Sequence, residues 1–371
     1  MTTLTRPAQT RTPPRPRLRG DHAPPLRLDH LDWLLTDIGL WQHMQDGAPS
    51  RRHGYSIDDE ARGLLVALGY WKEGRELAFM KRLGGTCFRF VQGAAVTDGP
   101  CAGRYHNFCD DKGQWLDSIG SDDSFGRTLW ALGVAHAADA PFAPRAGAET
   151  LLLRSLPQVD TLHADWLRAK AFVVLGLAAS RVDDRRLARL ANALADAYET
   201  TAGHDWQWFE NHMTYCNARL PQALFVASQA LPNGARCKQI AAQSLDFLLN
   251  VVCDEKGCYS PIGNARLATE GWYLRGERAP HQWDQQPVDA GALTEACVAG
   301  FHATGQARYA QAARRAFAWY TGENWHGLPL YDSQTGGVAD ALHQHGTSRN
   351  QGAESVVSIH LAWQALQTLD K

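Results

Sequence analysis

Apolar residues recur along the chain with the 3.6-residue period of helices, and the periodic segments are of two alternating kinds. One kind is amphipathic with a charged face, as in "DDRRLARLANALADAYETT" from Asp183 and "ARYAQAARRAFAWYTGE" from Ala307. The other is rich in Ala, Gly and Leu with few charges, as in "HADWLRAKAFVVLGLAAS" from His163 and "DAGALTEACVAGFHATG" from Asp289. A helix that is apolar on one face covers a core, whereas one that is apolar all round is enclosed. Twelve segments form six such pairs, outer helix first, beginning with "LRLDHLDWLLTDIGLWQHM" from Leu26. The pattern predicts inner helices over residues 57–70, 122–137, 164–179, 213–230, 287–302 and 352–367. Six hairpins closing on one another make an all-α fold, an (α/α)6 toroid. An open solenoid would show a fixed repeat length, and the spacing here varies through long connections.

Some of those connections repeat. "CDDKGQWLDSIGS" from Cys109 and "CDEKGCYSPIGN" from Cys253 both read Cys-Asp-acid-Lys-Gly, then an aromatic, then Ile-Gly. Turn residues followed by alternating apolar ones predict short β-hairpin insertions, with "GLPLYDSQTGGVAD" from Gly327 as a third. Lying between an outer and an inner helix, these insertions belong on one rim of the barrel, where a rigid scaffold commonly carries function.

The first 26 residues, "MTTLTRPAQTRTPPRPRLRGDHAPPL", are rich in Arg and Pro and lack an apolar h-region. They predict a disordered basic tail ahead of a barrel domain over residues 27–371, no secretory signal and a cytoplasmic protein. A net charge of −2 and the absence of a polybasic run in the body argue against nucleic acid as a partner, and no segment is long and apolar enough to span a membrane. Eight Cys without paired CxxC spacing predict reduced, buried thiols and no structural zinc. Thirteen Trp is a high number for 371 residues, and indole faces suit the apolar faces of sugars.

The chemistry gathers at the starts of the inner helices. "SIDDEARGLLVALG" from Ser56 and "SDDSFGRTLWALG" from Ser121 align Asp58 with Asp122, Asp59 with Asp123 and Gly69 with Gly133. Ser followed by acids is an N-cap pattern, which accounts for one acid per helix better than for two or three. Other starts are polar too: Glu210 and His212 among Trp206 and Trp208, then Gln286 and Asp289, then His343, His345, Arg349, Asn350, Gln351 and Glu354. Five such clusters at equivalent positions predict a polar pocket. The sequence carries no nucleophile-elbow, phosphate-loop or dinucleotide fingerprint, and the His343/His345 pair lacks a clear third ligand, so neither metal nor cofactor is expected.

The alternating helices and acidic starts resemble those of the six-hairpin (α/α)6-barrel carbohydrate-active enzymes, which include unsaturated glucuronyl hydrolases, α-1,6-mannosidases and glucoamylases. "HGYSIDDEARGLLVALGY", "YHNFCDDKGQWLDSIGSDDSFGRTLWALG" and "RNQGAESVVSIHLA" are also similar to bacterial domains of this shape linked to sugar-nucleotide glycosyltransferases. The resemblance implies a glycosidase, mostly inverting in this class, acting on an oligo- or polysaccharide, with a glycosyltransferase of the same pathway as partner. Hydrolysis needs one carboxyl as acid and one as base or nucleophile. The candidates are Asp58, Asp59, Asp122 and Asp123, with Glu210 as the rival donor. His53, Tyr55, His106, Arg127, Trp206, Trp208, His212, Gln286, Asp289, His345, Arg349, Asn350, Gln351 and Glu354 are the candidate sugar contacts. Two alternatives stand beside this one. A sugar epimerase of the acylglucosamine 2-epimerase type would use His106, His212, His343 or His345 as bases. A non-catalytic glycan-binding domain would use none of them for turnover.

Overall fold

The computed structural model describes residues 25–45, 47–253, 258–264 and 272–371, so most of the basic tail lies outside the described residues. The inner helices are α2 (Ile57–Lys72), α4 (Asp122–Ala138), α6 (Leu167–Ser180), α8 (Arg219–Ala230), α10 (Pro287–Thr304) and α12 (Ala353–Leu366). Each packs on the next, and α12 packs on α2, which closes the ring. Outside lie α1 (Asp29–Leu34), α3 (Leu77–Gly93), α5 (Arg145–Val159), α7 (Asp184–Thr201), α9 (Ala235–Val252) and α11 (Ala307–Ala318). The fold is the (α/α)6 toroid.

The two kinds of helix follow from their sequences. α7 buries Leu187, Leu190, Ala191, Leu194, Ala195 and Tyr198, a single stripe at helical spacing, and exposes its charges. α10 is buried on every side from Pro287 to Val298. Inner helices approach closely where glycines face each other. A Cβ on Gly133 would stand 2.1 Å from the Gly176 carbonyl oxygen, so α4 and α6 meet backbone to backbone.

The hairpins pair differently from the sequence expectation. Of the outer helices, each inner helix from α2 to α10 packs chiefly on the one that follows it, α2 on α3 through to α10 on α11, while α1 lies against α12. Short links join inner to outer helices, and the long connections run from each outer helix to the next inner one. All six inner N-termini therefore open on the rim that carries the long connections. The expected first helix is also much shorter. Thr36 Oγ1 accepts the amides of Ile38 and Gly39 at 3.1 Å each, turning the chain after Leu34. α8 starts six residues later than expected, at Arg219. His212–Met213 pairs antiparallel with Tyr273–Leu274, and Asn217 closes a turn on Thr214.

The rim insertions are short antiparallel pairs. Cys109 bridges Trp115 and Cys253 bridges Tyr259, the same positions of the two similar segments, and Tyr331 bridges Val338 in the third. In the first turn Asp110 Oδ1 accepts the amides of Lys112 and Gln114, both at 2.9 Å. Among the described residues, no helix is long and apolar enough to cross a membrane.

Candidate active site

The helix caps on α2 and α4 are the serines. Ser56 Oγ accepts the Asp58 amide at 3.2 Å, and Ser121 Oγ accepts the Ser124 amide at 3.1 Å. The four aspartates that follow are thus left for other partners. Asp58 pairs with Arg127, whose guanidinium also lies 3.9 Å from Asp123. Asp123 accepts the Tyr215 hydroxyl. Asp122 pairs with Arg104 at 2.7 Å and accepts the His163 amide at 3.2 Å. Asp59 lies buried, 3.3 Å from Arg62, and Arg62 reaches Glu354 on α12 at 2.8 Å.

The remaining inner helices repeat this arrangement. Arg168 on α6 meets Glu210 at 2.8 Å, Asn217 at 2.9 Å and the Tyr215 carbonyl at 2.6 Å. Arg219 on α8 meets Glu295 on α10 at 2.6 Å. Arg62, Arg127, Arg168 and Arg219 are all buried, and each reaches a carboxylate across a helix seam. Three also cover aromatic faces: Arg127 lies 4.5 Å from the Phe172 ring centroid, Arg219 4.7 Å from that of Trp130 and Arg168 5.3 Å from that of Tyr215. Guanidinium groups suit this role because they remain charged and bind carboxylates in a fixed geometry.

The carboxyls fall into two electrostatic classes. Asp58, Asp122, Asp123, Glu210, Glu295 and Glu354 each touch a guanidinium. Asp59 is driven well above the usual carboxylate range by burial, against the pull of Arg62 and with Glu354 adding to the rise. Asp289, in the first turn of α10, is raised to about 7 by burial, against the Cys216 amide that donates to its Oδ1 at 2.7 Å. Its Oδ2 has no hydrogen-bond partner among the described residues. Glu60 is raised to about 8 by burial and is committed to the connection between α1 and α2, accepting the Leu40 amide at 2.5 Å.

The other candidates scatter. Tyr55, Trp206 and Trp208 are packed into the core instead of the mouth, because each ring fills space beneath a rim connection. Tyr55 stacks on Trp41 at 4.6 Å, and Trp206 donates to the Glu210 carbonyl at 2.7 Å, which fixes the backbone of that acid. Glu210 meets Arg168, and Glu354 meets Arg62. His212 lies 3.8 Å from Glu210, and His106 stacks on Trp115 with its Nδ1 2.7 Å from the Asp117 carbonyl. His53 sits on the rim against His43, while His345, Arg349 and Asn350 are exposed. Gln286 is the residue before α10, and the Gln351 carbonyl lies 2.9 Å from His30 Nε2. His343 Nδ1 lies 2.6 Å from Asp284. Among the described residues no group of three or more His, Cys, Asp or Glu is arranged to hold a metal.

Sequence reasoning missed Arg62, Arg168, Glu295 and Tyr215. A readable signal was there: a lone Arg in the first turns of four helices otherwise built from Ala, Gly and Leu. Such a residue has to find a counter-charge inside the ring.

No family model matches the sequence, and no curated protein does. Solved structures do match in shape. A sugar epimerase from a ruminal bacterium superimposes with a TM-score of 0.68 at 11% identity, covering 91% of this chain and 95% of its own. The fold is that of the six-hairpin barrels. Cellobiose 2-epimerase from Bacillus thermoamylovorans B4167 gives 0.67 at 12% identity over 90% and 92% of the two chains. The GH76A α-1,6-mannanase from Salegentibacter sp. HEL1_6 gives 0.57 at 11% identity over 92% and 96%. Six-hairpin barrels of this shape thus include both epimerases and glycoside hydrolases.

Proposed function

We propose that this barrel hydrolyses glycosidic bonds in an oligo- or polysaccharide, using carboxyl groups at the inner-helix N-termini. The observation that carries the reading is the division of those carboxyls. Asp58, Asp123, Glu210 and Glu354 are ion-paired with buried arginines, whereas burial raises Asp59 and Asp289 above the usual carboxylate range. Hydrolysis needs one member of each class, a proton donor for the leaving oxygen and an anion for water or the anomeric carbon. Acids and bases set apart by environment are what such a reaction requires, and a purely capping role requires no such division.

One observation favours a second reading, a sugar 2-epimerase. His343 and Asp284 form a close pair in the segments leading into α12 and α10, an arrangement that orients an imidazole for proton abstraction beside a carbonyl. Epimerase structures are also similar to this chain in shape. A glycosyltransferase acting on the same glycan is the partner we propose for either reaction.

Proton NMR of an oligosaccharide panel in D2O separates these activities. Hydrolysis creates new reducing ends without deuterium at C2, and epimerisation creates a C2 epimer that carries solvent deuterium. Glycan binding without either product would overturn both readings in favour of a binding domain.

A further inference from the structure

Within the hydrolase reading, on which this inference rests, the walls of the mouth constrain where along a glycan the cut falls. We propose that the barrel acts on chain ends: the terminal sugar enters the mouth, and the rest of the chain leaves sideways through a notch over the start of α6.

The rim is walled by connections that bond to one another. Those leading into α2 and α4 pair through Tyr55 with Cys109 and Ser56 with Phe108. Those leading into α8 and α10 pair through His212 with Leu274 and Met213 with Tyr273. The α10 connection then joins the α12 connection through two bonds between Gln285 and Leu342, at 2.9 and 3.0 Å. At the seam of α12 with α2 the Ala353 amide donates to the Gln42 carbonyl at 3.2 Å, and the Gln351 carbonyl lies 2.9 Å from His30 Nε2. The wall thus runs unbroken from the α8 connection, past α10, α12 and α2, to the α4 connection.

It is interrupted at α6. The connection there comprises only residues 160–166, against 202–218 into α8 and 319–352 into α12. Among the described residues no strand pair or bridge joins it to its neighbours. It is held low instead: the His163 amide donates to Asp122 at 3.2 Å, and Gln158 at the end of α5 donates to the Pro100 and Ala102 carbonyls at 3.0 Å each. Asp123 on α4 and Glu210 before α8 flank this sill, so the notch opens beside carboxylates of the mouth. In a ring of six, α12 stands opposite α6, and its long connection is bonded on both sides. A cleft closed at one end and open at the other has room for a chain on one side of the scissile bond only.

The notch also carries a surface suited to sugar. Trp166 is the residue before α6 and is 48% exposed, with its ring centroid 6.4 Å from that of His163. The stretch leading into α4 exposes Leu116 and Ile119. An open indole face stacks on the apolar face of a pyranose, a role closed to the buried Trp206 and Trp208. At each turnover the oxygen of one water bonds to the anomeric carbon, and the glycosidic oxygen leaves that carbon and takes up a proton. The products are one small sugar and a chain shortened by it.

The test uses the full chain, the same oligosaccharide panel graded in length, and the parent polysaccharides. From the earliest time points mass spectrometry should find a single small product, and the viscosity of the polysaccharide should fall slowly. Trp166→Ala should raise KM by about 3–10-fold for long chains and progressively less for shorter ones, and Trp166→Phe, which keeps a ring, should recover most of that loss. A mixture of product sizes at the outset with a sharp fall in viscosity would overturn the inference and leave the hydrolase reading intact. So would a KM for Trp166→Ala that is unchanged, or raised equally at every length. Failure of the wild-type chain to cleave any member of the panel would overturn both. Circular dichroism of the variants separates these outcomes from misfolding.

Discussion

Asp289→Asn makes a prediction that needs no substrate. A carboxyl whose folded-state pKa is raised binds a proton in the native chain at pH values where the unfolded chain has released it. Stability is therefore lost as pH rises from the unfolded value toward the folded one, and the loss levels off above it. For Asp289 the rise runs from 3.8 to about 7, driven by burial. At about 1.4 kcal/mol per unit the ceiling is about 4 kcal/mol, of which about 3 kcal/mol falls between pH 5 and pH 8. Asn does not titrate. It also places an amide where Oδ2 was, an unsatisfied donor costing about 1–3 kcal/mol at every pH. The informative quantity is thus the pH dependence of the difference between variant and wild type. Urea unfolding at half-unit steps from pH 5 to pH 8 should show the variant gaining on wild type up to about pH 7 and then holding steady. A difference that stays flat across that range would refute the claim that Asp289 is protonated in the native barrel.

Other substitutions test the surrounding architecture. Arg127→Met should cost about 3–5 kcal/mol in denaturant unfolding, because Asp58 and Asp123 would lose their shared buried counter-charge. Gly133→Ala should lower the melting temperature by an amount corresponding to about 1–3 kcal/mol or more, since its Cβ would meet the Gly176 backbone at 2.1 Å. Gly69→Ala, at the matching position of the repeated motif, should be milder, since its Cβ would meet the end of the Gln364 side chain. Glu60→Gln should gain on wild type as pH rises toward about 8, by the same linkage as Asp289, and melting curves at pH 6 and pH 9 would show it.

The helical period and the alternation of charged with Ala- and Gly-rich segments were enough to place the inner ring, because enclosure on all sides leaves a compositional trace. α10, apolar almost throughout, is legible in this way, and so are the serine-capped starts of α2 and α4. The turn-forming insertions were legible too, since Asp110 and Gly113 carry the backbone preferences of a tight turn in their side chains. Hairpin pairing was not, because periodicity reports which face of a helix is apolar and not which neighbour covers it. The same limit applies to the site. Asp58, Asp59, Asp122 and Asp123 look alike in sequence, but only the ring brings Arg127 between two of them, leaves Asp59 buried and sets Arg104 on Asp122. Asp289 and Glu354 lie 65 positions apart by their numbers, and their contrasting environments come from the Cys216 amide and from Arg62, supplied by other parts of the chain. Charge states depend on burial and on partners across a seam. Those are properties of the closed barrel, which no local stretch of sequence contains.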